Sequence, residues 1–241
     1  MLEKKDLPAH VGIIMDGNGR WARQRGFSRS QGHKQGAKVF KQICEYAGDL
    51  GISHLTFYAF STENWKRPSE EVQAIMALFR DYLNEAQERK TENEEKGMQI
   101  RFIGQLNSDE IPEDISHLVK KLESDSSDKF KTVVNIAVNY GGRQEILKSV
   151  RELSQRIKNG ELLPDHITEK DIENGLYTAG QPDPDLIIRP SGEYRISNFL
   201  LWQSAYSEFW YSDVLWPDFT AKDFDRAIEN YCWRNRRFGG I

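Results

Sequence analysis

The stretch HVGIIMDGNGR, residues 10–20, decides the fold class of this chain. Its apolar run predicts a strand at Val11–Met15, and the polar residues and glycines that follow predict a tight turn. Four later apolar runs also end in polar residues. They predict strands at Leu55–Phe60, Ile100–Ile103, Val133–Val138 and Leu186–Ile188.

Segments with helical periodicity separate and follow these runs. The predicted helices are Gln35–Asp49, Ser69–Glu95, Pro112–Ser124, Arg143–Lys158 and Lys222–Tyr231. This alternation is typical of α/β proteins with a central, mostly parallel sheet flanked by helices. The sequence contains no internal repeat and no Gly/Ser linker, so residues 1–241 are predicted to form a single domain.

The segment that starts at Ser69 carries the fullest helix signal. Ser69 is predicted as the N-cap, and Glu70 and Glu71 suit the positive end of the helix dipole. Apolar residues at spacings of three and four form one stripe: Val72, Ile75, Met76, Phe79, Leu83 and Ala86. The stripe is consistent either with core packing or with the wall of an apolar channel.

Composition excludes several classes of protein. With 33 basic and 37 acidic residues the formal net charge is -4, which argues against a protein that coats nucleic acid. Cys44 and Cys232 are the only cysteines, so neither a disulfide framework nor a cysteine-rich zinc site is expected. The sequence has no secretory signal and no run of roughly 20 apolar residues, so we expect a soluble, cytoplasmic protein.

Ligands of open parallel sheets bind beyond the carboxyl ends of the strands, which directs attention to Asp16. A carboxylate about 4 Å from a phosphate charge would cost roughly 4 kcal/mol at an effective dielectric of 20. A bridging Mg²⁺ reverses that sign, because it is commonly held by one carboxylate, phosphate oxygens and water. The alternative is that Asp16 only caps the turn that follows it.

Arginines follow two of the predicted strands. The first group is Arg20, Arg23, Arg25, Arg29, His33 and Lys34, and the second is Arg189 and Arg195. Guanidinium groups bind phosphate bidentately and stay charged, so two groups indicate two anionic ligands or one long one. For Arg23 and Arg25 a solvated surface position is the favoured interpretation.

Two other polar segments are candidates for the site. The loop after the second predicted strand carries Ser61, Asn64, Trp65 and Arg67 between a strand and a helix, as functional loops often are. Glu208 lies in the aromatic run LLWQSAYSEFWY, where a carboxylate needs either a metal-bridged phosphate or an arginine as its partner.

Six stretches, taken in order along the chain, resemble the cis-prenyltransferase family, most closely its bacterial members. They are HVGIIMDGNGRWA (10–22), GHKQGA (32–37), FYAFSTENWKRP (57–68), NYGGR (139–143), DLIIRPSGEYRISNFLLWQ (185–203) and DVLWPDF (213–219). The resemblance implies an apolar tunnel between sheet and helices, with Ile100, Phe102 and Val134 as the natural wall opposite the Ser69 stripe. It also implies Mg²⁺-dependent condensation of isopentenyl diphosphate onto an allylic diphosphate such as farnesyl diphosphate.

The same resemblance implies roles for individual residues. Asp16 would hold Mg²⁺ and, with Ser61 and Asn64, act in catalysis. The allylic diphosphate would meet Gly17, Asn18, Gly19, Arg20, Trp21, Arg29 and His33. Isopentenyl diphosphate would bind Arg189, Arg195 and Ser197, with Glu208 as a second metal-binding residue. Trp65, Arg67 and Glu71 would belong to the loop that positions the incoming isoprene unit.

The resemblance further implies a homodimer in which Arg237 and Gly239 of the C-terminal RRFGG complete the partner's site. The expected product is undecaprenyl diphosphate for a cell-wall lipid carrier, released by peripheral contact with a membrane, and a short- or medium-chain product is the alternative. Val138 stands where many relatives have alanine and would narrow the tunnel, which leaves product length open. Three other classes stay open: a dinucleotide-dependent dehydrogenase, an aspartyl phosphatase and a non-catalytic prenyltransferase subunit.

Overall fold

A computed structural model of the chain describes residues 7–89, 91, 95–124 and 130–234. Six strands form one sheet: β1 (His10–Ile14), β2 (His54–Ser61), β3 (Met98–Ile103), β4 (Thr132–Tyr140), β5 (Leu186–Arg189) and β6 (Glu208–Tyr211). Their order is β3-β4-β2-β1-β5-β6, and every neighbouring pair is parallel. The predicted α/β class with a parallel central sheet is confirmed.

Helices connect the strands and cover the sheet. They are α1 (Asn18–Gln24), α2 (Arg29–Leu50), α3 (Ser69–Glu88), α4 (Glu113–Ser124), α5 (Gly142–Lys158), α6 (Glu169–Asn174) and α7 (Ala221–Trp233). Short 3₁₀ turns occupy Thr62–Lys66, Pro164–His166, Gln203–Tyr206 and Trp216–Asp218. No helix in the described part of the chain combines the length and the apolar character needed to cross a membrane.

The central strands are apolar on both faces because helices or loops cover both. All five residues of β1 are buried, as expected for a parallel strand between two layers. Val11 and Ile13 pack in a core with helices α2 and α7, whereas Ile14 packs on the opposite face with Phe199 and Leu200. Burial on both sides therefore fixes this strand in the middle of the sheet.

The predicted helix at Gln35–Asp49 begins six residues too late, since α2 starts at Arg29. Ser28 and Gln31 form a reciprocal capping box at its start, a signal that the sequence contains. Gly32 lies within the first turns because a Cβ there would come 2.2 Å from the carbonyl oxygen of Asn18. The close contact with α1 thus explains a glycine that, by propensity alone, disfavours a helix.

Other boundaries differ in smaller ways. Pro68, not Ser69, is the N-cap of α3, and it makes no side-chain capping bond. Helix α3 ends at Glu88, while part of the predicted extension to Glu95 lies outside the described residues. Strand β6 was not predicted, because it has only four half-buried residues on the sheet edge and begins with a charge.

A polar network is buried beneath the amino-terminal ends of the strands. His10 is fully buried, its Nδ1–H donates to the carbonyl of Pro182 (2.7 Å), and its Nε2 accepts from the hydroxyl of Thr56 (2.8 Å). Asn135 donates to the same hydroxyl oxygen at 3.0 Å. Burial lowers the pKa of His10 from 6.5 to about 4, so the imidazole is neutral at physiological pH.

We expect this histidine to make the fold sensitive to acid. Because the folded pKa lies below the unfolded one, the unfolded chain takes up the proton first, and stability falls as pH drops from 6.5 toward 4. The shift corresponds to a loss of about 3 kcal/mol across that window. Urea unfolding of the wild type and His10→Gln between pH 7 and pH 4 measures it, with the exposed His166→Gln as control. Equal pH slopes in all three proteins would contradict the assignment.

Candidate active site

The carboxyl ends of β1, β2, β4 and β5 meet at one edge of the sheet, and the polar residues predicted from the sequence gather there. A cavity of about 990 Å³ opens at this edge and runs between the sheet and helices α2 and α3. Seven arginines line its polar end: Arg20, Arg23, Arg29, Arg67, Arg143, Arg189 and Arg195. Asp16, Glu63 and Glu71 are the acidic residues of that end, so its charge is strongly positive.

Asp16 follows β1 directly and lies between the two groups of arginines. Its Oδ2 accepts a hydrogen bond from Arg189 Nη2 at 2.8 Å, and its Oδ1 lies 3.6 Å from Arg20 Nη2. Burial alone would raise the pKa of Asp16, but the hydrogen bond and charge of Arg189, together with Arg20, hold it below its usual value. Asp16 is therefore an ionised carboxylate that faces the cavity.

Gly17 turns the chain away from Asp16 with φ +103, a left-handed conformation that glycine adopts readily. Its N–H donates to Asp16 Oδ1 at 2.6 Å, so the carboxylate does cap its own turn in part. A Cβ at this position would also come 3.0 Å from Leu215 Cδ2. Gly17 thus determines the conformation of the turn. Oδ1 of Asp16 accepts from the Gly17 N–H, and Oδ2 accepts from Arg189.

The first basic group forms where α2 begins. Arg29 and Arg67 both pair with the carboxylate of Glu71, the latter at 3.0 Å. His33 lies one turn farther along α2, and its pKa is lowered to about 4 by burial and by the positive charge of Arg67. His33 is therefore neutral at pH 7 and acts as a hydrogen-bonding group beside two fixed cations.

The second basic group forms at the end of β5. Arg189 is 4% exposed, and its Nη1 donates to Ser197 Oγ at 2.8 Å and to the carbonyl of Arg195. Its Nε is buried and finds no acceptor among the described residues. Arg195 itself is exposed and pairs with Glu193. A buried guanidinium with an unused donor beside an exposed arginine is suited to an anionic ligand.

The 3₁₀ turn after β2 presents Ser61 and Asn64 to the same space. The Asn64 Oδ1 accepts from the Ser61 N–H at 3.1 Å, which holds the two side chains on one turn. Trp65 does not line the cavity. It packs edge-on against Phe60 with ring centroids 4.8 Å apart, and its Nε1–H donates to Asn139 Oδ1 at 2.8 Å.

Two further sequence predictions need correction. Trp21 is not part of the cavity lining, since its Nε1–H donates to Asp218 at 2.7 Å and its ring lies under Arg25. Glu208 pairs with Arg234, the alternative partner type that the sequence allowed. It is in register with Leu186, at the opposite end of β5 from Arg189, so one chain does not bring Glu208 next to Asp16.

The middle part of the cavity is apolar, and ion pairs among Lys41, Glu45, Glu85 and Arg89 line it near the carboxyl ends of α2 and α3. Ile75, Phe79, Leu83 and Ala86 of the α3 stripe line it, as do Ile100, Phe102 and Val134 on the strands, whereas Val72 and Met76 of the stripe pack in the core. Its α2 side includes Phe40 and Cys44. Val138 is buried beside the tunnel wall and is not among the lining residues, so the expected narrowing by its side chain is not observed.

The sequence analysis missed Glu63, Arg143 and Asn198, which also line the cavity. All three stand next to predicted polar segments at strand ends. The sequence therefore contained the polar segments that pointed to these residues. Only the folded loops show which residues of each segment face the cavity. Arg237 and Gly239 lie outside the described residues.

Comparison with known proteins agrees with this geometry. Residues 14–239 match the family model described as "Putative undecaprenyl diphosphate synthase". An isoprenyl transferase of Fusobacterium nucleatum is 48% identical over 238 residues, which cover 99% of this chain and 98% of the relative.

Two solved structures are also similar. The lavandulyl diphosphate synthase of Lavandula x intermedia in complex with dimethylallyl diphosphate has a TM-score of 0.93 and 35% identity, and the match covers 98% of this chain and 100% of that one. A probable undecaprenyl diphosphate synthase of Campylobacter jejuni has a TM-score of 0.77, 31% identity and full coverage of both chains.

The fold and site thus define a prenyltransferase. More narrowly, the chain belongs to the undecaprenyl diphosphate synthase family of cis-prenyltransferases, in its bacterial form.

Proposed function

We propose that this chain condenses isopentenyl diphosphate in cis onto an allylic diphosphate, with Mg²⁺, to make a polyprenyl diphosphate. The observation that supports this most directly is one continuous cavity with a cationic end at the sheet edge and an apolar interior. Such a shape suits a molecule with a charged head and a long hydrocarbon chain. The solved lavandulyl diphosphate synthase in complex with dimethylallyl diphosphate supports an allylic substrate here.

The two basic groups accommodate the two diphosphates. The allylic diphosphate is assigned to the group around Arg29 and His33, next to the apolar cavity that would take its chain. Isopentenyl diphosphate is assigned to Arg189, Arg195 and Ser197, where the unpaired Nε of Arg189 is available to a phosphate oxygen. Asp16 lies between these groups, bonded to Arg189 and near Arg20.

The residues present fit a magnesium ion that is bound together with substrate. Within the described residues no group of three or more His, Cys, Asp or Glu side chains could hold a metal by itself. Asp16 supplies one ionised carboxylate, and Mg²⁺ commonly takes its other ligands from phosphate and water. When bound, the ion would neutralise charge on the leaving diphosphate.

The condensation breaks the allylic C–O bond, and the electron pair leaves with the diphosphate. The double bond of isopentenyl diphosphate supplies the pair for the new C–C bond, and a proton is then lost from the extended chain. Arginines fixed by carboxylate partners stabilise the departing charge without reorganisation. We assign the proton to the released diphosphate, and we propose that the Ser61 hydroxyl relays it while the Asn64 amide donates a hydrogen bond to a diphosphate oxygen. The apolar walls keep water from the electron-deficient carbon.

The size of the cavity supports a long product. A volume of about 990 Å³ lies at the upper end of the roughly 300–1,000 Å³ range of small-molecule pockets. We therefore propose undecaprenyl diphosphate, the precursor of a cell-wall lipid carrier, over a short- or medium-chain product. The reaction is placed in the cytoplasm, where water-soluble substrates are available, with peripheral membrane contact for product release.

The direct experiment is incubation with farnesyl diphosphate, labelled isopentenyl diphosphate and Mg²⁺, followed by chromatography of the dephosphorylated products. A ladder that ends at the undecaprenyl species is expected. Products that stop after one or two additions would replace that proposal with the short-chain alternative, and the absence of any product would refute the prenyltransferase reaction.

A larger residue deep in the cavity is expected to shorten the product. Ala86 lines the cavity on α3, so Ala86→Phe removes space from the inner end, and the main product should lose several isoprene units. Ala77 lies on the exposed side of the same helix, and Ala77→Phe is the matched control. Product chromatography measures both, and an unchanged product distribution for Ala86→Phe would show that the chain does not extend along α3.

A second copy of the chain is the proposed partner. Helix α5 exposes Leu147 and Val150, and Trp233 at the end of α7 is 87% exposed, an unusual position for large apolar side chains. A homodimer would cover such surface and would bring one chain's C-terminal Arg237 and Gly239 near the other chain's site.

We expect the wild type to sediment as a dimer and Leu147→Lys to sediment as a monomer, with the exposed Leu163→Lys as control. A monomeric wild type at micromolar concentration would contradict the proposal.

A further inference from the structure

Asn198 lies where three loops of the site meet. It follows Ser197 in the segment after β5, and both residues have left-handed backbone angles, φ +48 for Ser197 and +65 for Asn198. A left-handed conformation is costly for residues other than glycine, and asparagine is one of the few that tolerate it. Strained backbone of this kind persists only when surrounding contacts hold it.

The first set of such contacts joins Asn198 to the start of α5. The Asn198 carbonyl accepts from the Gly142 N–H at 2.7 Å, and its side-chain Oδ1 accepts from the Arg143 N–H at 2.9 Å. The first N–H groups of a helix have no partner within the helix. The N-cap residue Gly141 offers no side chain, so Asn198 caps α5 from another loop.

The second set of contacts joins Asn198 to the loop after β2. Its Nδ2 donates to Glu63 Oε1 at 2.9 Å and to Gln144 Oε1 at 3.2 Å. Glu63 is in the 3₁₀ turn Thr62–Lys66, which also contains Asn64. The amide of Asn198 therefore ties the turn that contains Asn64 to the loop that presents Ser197.

The atoms around Asn198 are so closely packed that Gly141 could not carry a side chain. A Cβ on Gly141 would come 2.7 Å from Asn198 Nδ2 and 2.3 Å from Gln144 Oε1. Ser197, on the other side, accepts from Arg189 through its Oγ and from the Tyr58 hydroxyl through its carbonyl. A shift of Asn198 would therefore displace Ser197 relative to Arg189, and Glu63 relative to α5.

We infer that Asn198 is a positioning residue for the isopentenyl diphosphate half of the site. It holds Ser197 in hydrogen-bonding distance of Arg189. Through Glu63 it also fixes the 3₁₀ turn Thr62–Lys66 beside the isopentenyl diphosphate site. This role rests on the proposed function, because it assigns Asn198 to one of the two substrates of that reaction. It acts through its neighbours, and no contact between Asn198 and the reacting atoms is required.

Two substitutions separate its backbone from its side chain. Asn198→Gly keeps the left-handed backbone and the bond to the Gly142 N–H but removes the three side-chain bonds. Asn198→Asp keeps the acceptor for the Arg143 N–H but places a carboxylate against Glu63. We expect Asn198→Gly to raise the KM for isopentenyl diphosphate about tenfold and to leave the KM for the allylic substrate within about twofold.

The aspartate variant offers a rescue experiment. Asn198→Asp should be at least as impaired as Asn198→Gly, since two carboxylates then face each other. Adding Glu63→Gln supplies an amide that can donate to the new carboxylate at position 198, so the double variant should recover most of the lost affinity for isopentenyl diphosphate. Asn159, whose Nδ2 donates to Glu161 at 2.8 Å just beyond the exposed end of α5, provides the matched control Asn159→Asp.

Steady-state kinetics and hydrogen exchange test the inference together. Exchange of the Arg143 amide should accelerate about tenfold in Asn198→Gly, while the Gly142 amide stays protected. Wild-type KM values for both substrates in both single variants, an equal loss for both substrates, or no recovery in the double variant would each overturn the role of Asn198. Absence of product with the wild-type enzyme would instead overturn the proposed function, and the two failures are therefore distinguishable.

Discussion

Replacing Asp16 by alanine is expected to lower turnover by about 10²–10³-fold. Its ionised carboxylate is the acidic group that lies between the two basic groups, and Arg189 and Arg20 both contact it. Without it a cation would have no protein ligand at the point where leaving-group charge develops. Measurement of labelled isopentenyl diphosphate incorporation over a range of Mg²⁺ concentrations gives both the turnover and the apparent affinity for the metal.

Two further variants make this result interpretable. Asp16→Asn keeps an oxygen that accepts from Arg189, so it limits the structural damage that an unpaired buried guanidinium would cause. It should lose nearly as much turnover as Asp16→Ala, because the negative charge is gone. Asp114, which pairs with Arg80 on the surface, gives the control Asp114→Ala. Near-normal incorporation by Asp16→Asn would refute the assignment of the metal to this carboxylate.

Arg195→Ala is expected to raise the KM for isopentenyl diphosphate by about 30-fold and the KM for the allylic diphosphate far less. Arg195 lies on the loop beside Arg189 and Ser197 and pairs with Glu193, whereas Arg29 and Arg67 pair with Glu71. Its present partner Glu193 is partly exposed and Arg195 is largely exposed, and an ion pair of this kind contributes little, so a diphosphate can displace Glu193. Initial rates with one substrate varied at a time measure the two constants.

The matched control for Arg195 is Arg226 on α7. It is also an exposed arginine beside an acidic residue, Asp223, at 3.3 Å, and it does not line the cavity. Arg226→Ala should leave both KM values unchanged. If Arg195→Ala raised the two KM values equally, the two diphosphates would not occupy separate basic groups, and the assignment of substrates to them would have to be abandoned.

Most of the sheet could be predicted from the sequence, because parallel strands buried on both faces are continuous apolar runs. The five predicted strands are all present, whereas β6 escaped because an edge strand needs neither burial nor length. Periodicity predicted five of the seven helices in the described part of the chain and missed the short helices α1 and α6. The start of α2 depended on a capping box and on a glycine fitted against α1. Boundaries of this kind are set by contacts between elements.

Some residues of the site could likewise be predicted from the sequence, and others could not. Asp16, Ser61 and Arg189 lie at the carboxyl ends of strands whose position the sequence determines, so their convergence at one edge could be predicted. Trp21, Trp65 and Glu208 stand in equally suggestive motifs, yet their side chains are held by Asp218, Asn139 and Arg234 outside the cavity. A motif gives the position of a residue along the backbone, but the direction of its side chain depends on partners distant in sequence.

The sequence by itself therefore determined the fold class, the apolar strands of a mostly parallel sheet, and the arginines and the carboxylate that follow those strands. These features follow from local patterns of apolar and polar residues. Only the tertiary structure decided which side chains face the cavity, how deep its apolar part extends, and that Asn198 joins three loops. Those properties depend on distances between segments far apart in the chain, such as Asn198 and Glu63, and the packing of the whole molecule sets such distances.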